Sequence, residues 1–319
     1  MKITAKMTKD VLGVLDDLIL EIQKEQKKPY PYAEWERKRK KVKEKLKKLP
    51  EYVEKAASMV ETQKRTGRPK VGTLVQRTML FLFARMMSKS NRDVEDLLEL
   101  FGPLFEISVS YKSVERLYSD EEVKVTIHNL FILLLNDEEL NGDVAGDGTG
   151  YSLLITKHYA SNPDKRSKDY KYAFRIIDLD TGMYVGVGYS AKSEMGAFRQ
   201  AMEMIKNLGI KIKSGRFDKY FSSRKVLEIF DRKTIIYVIP KKNISKIGLR
   251  WSRIIRRIIE GPYKFLKDYF GRNLSEAGYS SDKRRFGWMI RQKREDRQES
   301  AMFAIALLHN IFFVRIKPS

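Results

Sequence analysis

Four polar side chains near the C-terminus have a spacing that suits chemistry on a phosphodiester. The pattern is Y-x2-R-x3-E-x6-K, formed by Tyr269, Arg272, Glu276 and Lys283. On an α-helix, which turns by about 100° per residue, these offsets fall within an arc of roughly 60°. The carboxylate would help to hold a divalent cation, while the phenol, guanidinium and ammonium would contact phosphate oxygens. The spacing therefore predicts one helix with a phosphodiester site on one face.

Two aspartates upstream are expected where strands end, and they would add carboxylates to this site. Asp147 lies in a strand predicted over Gly142 to Ile155, and Asp218 follows a strand predicted over Ile210 to Phe217. A close group of acidic side chains is electrostatically costly alone but favourable around Mg²⁺ or Mn²⁺, which prefer oxygen ligands. Asp143 is a rival to Asp147, and it could equally be a turn residue.

These residues together resemble the catalytic signature of the insertion-sequence DDE transposases, in the subgroup whose third acidic residue lies inside the Y/R/E/K pattern. Asp147-Gly148-Thr149 is similar to the first acidic motif of that family. The second motif is similar to Asp218-Lys219-Tyr220-Phe221-Ser222. In it, Tyr220 stands where the family usually has Gly or Ala. The resemblance covers about the last 180 residues.

The resemblance implies an activity and a role for each of these residues. The implied catalytic residues, and the ligands of two Mg²⁺ or Mn²⁺ ions, are Asp147, Asp218 and Glu276. The residues implied to bind DNA are Tyr269, Arg272 and Lys283. The implied reaction is hydrolysis at transposon ends followed by strand transfer into target DNA. The partners would be double-stranded DNA, as terminal inverted repeats and as target, and a second copy of the chain, because pairing two ends needs at least a dimer.

Each of these residues also has an ordinary structural interpretation. Asp147 followed by Gly148 is a common hairpin signal. Asp218 could cap a following helix, and Glu276 could form a solvated ion pair with Arg272. The joint pattern favours the catalytic interpretation. Two alternative functions remain: a ribonuclease H-like nuclease that cuts without joining, and a non-catalytic DNA-binding protein derived from a transposase.

Composition points to a polyanionic partner. The 319 residues include 63 Lys and Arg against 41 Asp and Glu, a formal net charge of +22. This excess favours nucleic acid, bound with an affinity that falls steeply with salt. Cysteine is absent, which excludes thiolate zinc sites, disulfides and cysteine nucleophiles. Neither a signal-peptide core nor an apolar run long enough to span a bilayer is present. We therefore expect a cytoplasmic protein with no membrane partner.

The first 70 residues are predicted to form basic helices. Nine of the twelve residues from Arg37 to Lys48 are Lys or Arg. Pro50 is expected to interrupt this stretch, and residues 66–70 are expected to be a basic linker. The basic N-terminal half would recognise the terminal repeats.

Residues 71–140 are predicted to be helical, with a possible DNA-reading element. Leu74 to Met87 should form one helix, and a second should run from an N-cap at Ser90 to Leu100, with Gly102-Pro103 ending it. The polar segment Ser110 to Tyr118 would complete either a helix-turn-helix or an ordinary helical hairpin.

From residue 141 to residue 319 the periodicity changes to strands alternating with helices. The predicted order βββαβαβα is that of a ribonuclease H-like fold. The predicted architecture is thus an α/β ribonuclease H-like catalytic domain preceded by an all-α N-terminal DNA-binding region. The resemblance implies that the first and fourth strands are adjacent and parallel, which would bring Asp147 and Asp218 together. The final helix, predicted from Glu299 to Val314, should pack on the sheet, and His128, His158 and His309 share no ligand spacing, so we interpret them as structural or surface residues.

Overall fold

The computed structural model describes residues 3–24, 32–61, 70–105, 108–154, 169–241 and 247–313. Helices within these residues are α1 (Ala5–Lys24), α2 (Tyr32–Ser58), α3 (Leu74–Met87), α4 (Asn91–Phe105), α5 (Tyr111–Leu117), α6 (Glu121–Asn136), α7 (Glu194–Asn207), α8 (Arg224–Leu227), α9 (Leu249–Glu260), α10 (Pro262–Tyr269), α11 (Asn273–Phe286) and α12 (Glu295–Phe312). The strands are β1 (Asp143–Ser152), β2 (Tyr170–Asp178), β3 (Tyr184–Ser190), β4 (Ser214–Phe217) and β5 (Ile235–Tyr237). Short 3₁₀-helices cover Lys219–Phe221 and Phe270–Arg272.

The five strands form one mixed sheet in the order β3-β2-β1-β4-β5. β1, β2 and β3 pair antiparallel, whereas β4 runs parallel to both β1 and β5. The predicted parallel pairing of the first and fourth strands is therefore confirmed. In this register Gly146 of β1 lies opposite Phe217, the last residue of β4. The residues that follow on the two strands, Asp147 and Asp218, are consequently neighbours.

Helices cover both faces of the sheet. Phe174 on β2 packs edge to face against Phe198 of α7, with ring centroids 5.1 Å apart. The next residue, Arg175, binds Asp282 of α11, and successive strand side chains point to opposite faces. α7 therefore lies on one face and α11 on the other. α7 approaches β3 so closely that a Cβ added at Gly188 would lie 2.0 Å from the carbonyl oxygen of Ala197.

The N-terminal helices share a hydrophobic core with the sheet. α12 is buried at every position from Ser300 to Phe312, as expected for a helix enclosed on all sides. It packs against β3 and also against α2, α3 and α6. Arg85 of α3 adds a polar connection, because its buried guanidinium donates to the carbonyl oxygens of Phe286 and Ala301. A helical N-terminal region thus precedes a mixed five-stranded sheet and packs on the helices that cover it, chiefly α12.

Two predicted helix breaks were wrong. α4 continues through Gly102-Pro103 to Phe105, and α2 continues through Pro50. A proline inside a helix removes one hydrogen bond and costs about 3 kcal/mol. In α2 the burial of Leu49 and Val53, on either side of the proline, offsets that cost. At Pro50, tertiary packing, which local sequence signals do not report, accompanies the continued helix.

The fourth strand is shorter than predicted, and the final helix begins earlier. The amide of Ile210 donates to the carbonyl oxygen of Ile205, so this segment still closes α7, and pairing of β4 begins only at Ser214. α12 starts at Glu295 rather than Glu299. The expected basic linker lies almost entirely outside the described residues. α4 and α5 do pack on each other, but whether they read DNA stays a prediction.

Candidate functional site

The Y/R/E/K residues do not lie on one helix, which corrects the prediction made from their spacing. Tyr269 ends α10, Arg272 ends a 3₁₀-helix, and Glu276 and Lys283 lie on α11. A 3₁₀ turn, Phe270–Arg272, separates α10 from α11. Beside this turn, the Nε of Arg216 donates at 2.9 Å to the carbonyl oxygen of Asp268.

The broken segment still keeps the first three of these side chains together. The Arg272 guanidinium lies 5.3 Å from the ring centroid of Tyr269. The same guanidinium binds the Glu276 carboxylate at 2.8 Å. A phenol, a guanidinium and a carboxylate therefore occupy one region beside β4, although they lie on consecutive short helices instead of the single helix predicted to align them.

Asp147 lies in the middle of β1 rather than at its end, level with the point where β4 stops. The hydroxyl of Tyr279, on α11, donates to the carbonyl oxygen of Asp147 at 3.2 Å. The pKa of the Asp147 carboxyl is raised to about 7, chiefly by burial and also by the charges of Glu276 and Glu194, while the Gly148 amide and Arg272 act in the opposite direction. A carboxyl that titrates near neutral pH is a common feature of functional sites.

The charges of all three predicted carboxylates act on Tyr269. Its side chain is only 5% exposed. Burial raises the pKa of its phenol to about 12, and the charges of Asp218, Glu276 and Asp147 act in the same direction. Electrostatic effects of this kind weaken with distance. The structure therefore brings all three acidic residues into the neighbourhood of one buried phenol.

The donor chemistry fits a hard divalent cation, but Glu276 is engaged elsewhere. Carboxylate oxygens are the ligands that Mg²⁺ and Mn²⁺ prefer. In the part of the chain that the structure describes, no three Asp, Glu, His or Cys side chains are gathered closely enough to hold a metal ion. The Glu276 side chain pairs with Arg272 and is 46% exposed.

Lys283 is anchored to the sheet. Its ammonium donates to the hydroxyl of Thr149 at 2.7 Å and to the carbonyl oxygen of Gly150 at 3.0 Å. Both acceptors lie on β1, immediately after Asp147 and Gly148. The contact fixes α11 against the strand that carries Asp147, and a role for Lys283 in binding DNA stays a prediction.

Glu194 is an acidic neighbour that the sequence interpretation missed. It is the first residue of α7, after the N-cap Ser193. A Cβ added at Gly148 would lie 3.0 Å from the carboxyl carbon of Glu194, so this carboxyl packs closely against the strand residue next to Asp147. Glu194 has no characteristic spacing to the other acids. Only the packing of α7 on the sheet could have found it.

The structure also bears on the alternative roles considered for Asp143 and Asp218. Asp143 accepts a hydrogen bond from the hydroxyl of Ser214 at 2.6 Å. It lies four residues before Asp147, about 13 Å along the strand, so it takes no part in the cluster around Tyr269. Asp218 precedes a 3₁₀-helix but makes no side-chain cap hydrogen bond. Its carboxylate is therefore not used as a helix cap.

A buried polar network fixes α11 behind the site. Asp282 is 0% exposed, and its carboxylate binds Arg175 at 2.5 Å, the hydroxyl of Tyr184 at 3.0 Å and Nδ1 of His309 at 2.7 Å. The other ring nitrogen of His309 lies 3.1 Å from the carbonyl oxygen of Gly182. The network joins β2, β3, α11 and α12, which confirms the structural interpretation of His309.

Trp251, an aromatic residue in basic surroundings, is buried in the core. It is therefore not available to stack on a base. None of the described helices combines the length and the apolar character that crossing a membrane requires.

Comparison with known proteins gives the family. Over 315 residues the chain is 62% identical to a probable transposase for the insertion sequence element ISA1214 of Archaeoglobus fulgidus. The matched region covers 99% of this chain and 98% of the archaeal protein. No family model and no solved structure matches the chain. At this identity and coverage, the chain belongs to the same family of insertion-sequence transposases.

Proposed function

We propose that this chain is a DDE transposase that cuts DNA at the ends of an insertion sequence and joins those ends to target DNA. The observation that carries the proposal is the register of β1 and β4, which makes Asp147 and Asp218 neighbours, with the charges of both and of Glu276 acting on the buried phenol of Tyr269. Family membership supports the general activity. The carboxylates support this particular mechanism.

The sheet supports a ribonuclease H-like catalytic domain. Three antiparallel strands are followed by a helix and two further strands parallel to the first, in the order β3-β2-β1-β4-β5. This order places the last residue of β4 beside the middle of β1. It is the arrangement that the proposed mechanism requires, because it makes neighbours of two acids that are far apart in the sequence.

The carboxylates of Asp147, Asp218 and Glu276 would hold two Mg²⁺ or Mn²⁺ ions. When bound, such ions lower the pKa of an attacking water or 3′-hydroxyl and stabilise the leaving oxygen. With a pKa of about 7, the Asp147 carboxyl holds a proton for about half of the time at neutral pH. It must release that proton before both of its oxygens can act as ligands.

The cationic residues would bind the DNA. Arg272 can offer a guanidinium fork to two phosphate oxygens once it is released from Glu276. The basic surface of α2, which carries the stretch from Arg37 to Lys48, would hold the terminal inverted repeats through their phosphates. Two copies of the chain would pair two ends and present them to the target DNA.

The test is a cleavage assay with Mg²⁺ and DNA carrying the element's own ends. Asp147→Ala, Asp218→Ala and Glu276→Ala should each abolish cleavage while DNA binding persists, since binding depends on phosphate contacts elsewhere. Asp143→Asn is the matched control on the same strand and should keep cleavage. Full activity in Asp147→Ala would refute the assignment.

The same assay separates the alternatives when nicked and joined products are measured independently. A transposase yields both products. Nicked products alone, with correct ends and target present, would favour a ribonuclease H-like nuclease. DNA binding with neither product in the wild-type protein would favour a non-catalytic DNA-binding protein.

A further inference from the structure

A cavity of about 470 Å³ lies on the side of α11 that faces away from the acidic cluster. Residues of α2, α11 and the end of α12 line it. On α11, Leu274 and Arg285 face the cavity, whereas Glu276 lies on another side of the same helix. The cavity therefore joins the basic helix α2 to the helix that carries a proposed catalytic residue.

Two guanidinium groups at this cavity have no acidic partner among the described residues. Arg39 of α2 lies 5.8 Å from the ring centroid of Trp35, and Arg285 lies 4.2 Å from that of Phe312. Neither has a carboxylate within ion-pair distance in the described part of the chain. Burial lowers the pKa of Arg285, and the positive charge of Arg39 lowers it further, as expected for two cations close to each other.

The remaining charged groups of the cavity wall are already neutralised. Glu34 is the acidic residue of the lining, and its carboxylate lies 2.5 Å from the ammonium of Lys38. His309 reaches the cavity, but both of its ring nitrogens have partners, at Asp282 and at Gly182. The cavity therefore keeps the excess positive charge of its two arginines, which makes it complementary to an anion.

The rest of the wall is apolar and aromatic. Leu274, Phe312 and Phe313 line the cavity, and Trp35 stands beside them with 43% of its surface exposed. An exposed indole next to a guanidinium is a platform on which a planar ring can stack. The volume lies within the range of cavities that hold small organic ligands.

We propose that this cavity binds one unpaired nucleotide of a DNA strand. The phosphate would lie between Arg39 and Arg285, each of which can donate two hydrogen bonds to it. The base would stack on Trp35 and rest against the apolar wall. The choice of DNA as ligand rests on the proposed function, while the phosphate and base chemistry rests on the cavity. A strand held here would run from α2 to α11, the helix of Glu276.

The test measures affinity rather than cleavage. The full-length protein, in EDTA, would be titrated into a fluorescent single-stranded oligonucleotide and into the corresponding duplex over a range of salt concentrations. The charge variant is Arg39→Gln combined with Arg285→Gln, and its control is Lys206→Gln combined with Lys192→Gln on the exposed surface near α7. The stacking variant is Trp35→Ala. Its control is Tyr263→Ala, which removes an equally exposed aromatic ring from α10.

The expected results follow from the two kinds of interaction. Removing the cations that neutralise one phosphate should flatten the log-log salt slope for the single strand by about 0.7, and removing the stacking partner of one base should weaken its binding at least about fivefold. Duplex affinity should change no more in Trp35→Ala than in Tyr263→Ala. Because Arg39 also belongs to the basic stretch of α2 proposed to hold duplex ends, the charge variant is judged on its single-strand salt slope. Single-strand binding that matches the controls, or a Trp35→Ala protein that loses duplex and single-strand affinity equally, would overturn the proposal.

The binding measurement can be interpreted independently of the cleavage assay. Binding in EDTA needs neither metal nor the carboxylates, so it can be measured in an Asp147→Ala protein. If the Asp147→Ala protein still cleaves DNA, the proposed mechanism is refuted, whereas the single-strand affinity of the cavity is not affected by that result. If replacing Arg39, Arg285 and Trp35 leaves single-strand affinity unchanged, the cavity proposal is refuted and the catalytic mechanism is unaffected.

Discussion

Replacing Asp147 with Asn should stabilise the protein at neutral and alkaline pH when no metal is present. Burial and neighbouring acids raise the pKa of this carboxyl from an ordinary value of 3.8 to about 7. The folded chain therefore keeps a proton that the unfolded chain releases. Stability associated with this proton is fully present below about pH 4 and is lost as the pH rises to about 7.

The size of the effect follows from the pKa difference. A difference of about 3 pH units between the folded and unfolded states corresponds to about 4 kcal/mol, at about 1.4 kcal/mol for each unit. The Asp147 side chain keeps some contact with solvent, which reduces the penalty, so we expect about 2–4 kcal/mol. The Asn variant carries no ionisable group and avoids this loss.

The assay is urea unfolding of the wild-type and Asp147→Asn proteins in EDTA at several values between pH 4 and pH 8. The free energy of unfolding of the variant should exceed that of the wild type by an amount that grows up to about pH 7 and then levels off. Asp143→Asn is the control, and it should destabilise the protein because it weakens the hydrogen bond with Ser214. A constant difference at every pH, or a variant less stable than the wild type at pH 8, would refute the reasoning.

Four further predictions concern other parts of the molecule. Asp282→Ala should lower the free energy of unfolding by about 3–5 kcal/mol, measured by urea unfolding, because it leaves a buried guanidinium unpaired. Glu194→Gln removes a negative charge that raises the pKa of Asp147. In the same urea assay, the loss of stability that accompanies deprotonation of Asp147 should therefore end at a lower pH. Neutralising four basic residues between Arg37 and Lys48 should flatten the salt dependence of duplex binding by about 0.9 for each phosphate that the variant no longer neutralises, and an unchanged slope would place the DNA elsewhere. In a titration of Mn²⁺ against cleavage rate, Arg272→Lys should lower the rate without moving the metal midpoint, whereas Glu276→Gln should move it.

The sequence predicted which helices and strands surround the candidate site more accurately than it predicted where each of them begins and ends. The predicted order of elements after residue 141 contains the five strands that the structure has, with a helix between the third and the fourth. Boundaries failed where a distant contact competes with a local signal. Pro50 and Gly102-Pro103 are helix breakers by local rules, yet both lie inside helices, and for Pro50 it is the burial of its neighbours in a core formed with other helices that offsets the break.

The spacing of the Y/R/E/K residues predicted that Tyr269, Arg272 and Glu276 lie close together, and they do, but not on the single helix from which this was inferred. A single helix was expected to align them, but a 3₁₀ turn separates α10 from α11, and Arg216 binds the carbonyl oxygen of Asp268 beside that turn. Periodicity cannot report this, because the donor comes from β4, more than 50 residues earlier. Glu194 was missed for a related reason. Its closeness to Asp147 depends on a glycine in β1 and on the angle at which α7 meets the sheet, neither of which leaves a periodic signal.

The proton on Asp147 and the ion pair between Glu276 and Arg272 both reduce the negative charge near Tyr269. A buried carboxyl beside other carboxylates is costly to charge. The raised pKa of Asp147 keeps it protonated below about pH 7, and Arg272 binds the Glu276 carboxylate at 2.8 Å. If the carboxylates hold cations, as proposed, the charged form of Asp147 would be favoured and the Glu276 carboxylate would no longer need Arg272 as its partner. The guanidinium that the resemblance assigns to DNA would therefore become available for a phosphate only in the metal-loaded protein, so the Arg272→Lys variant should bind DNA like the wild type in EDTA and differ from it only when Mn²⁺ is present.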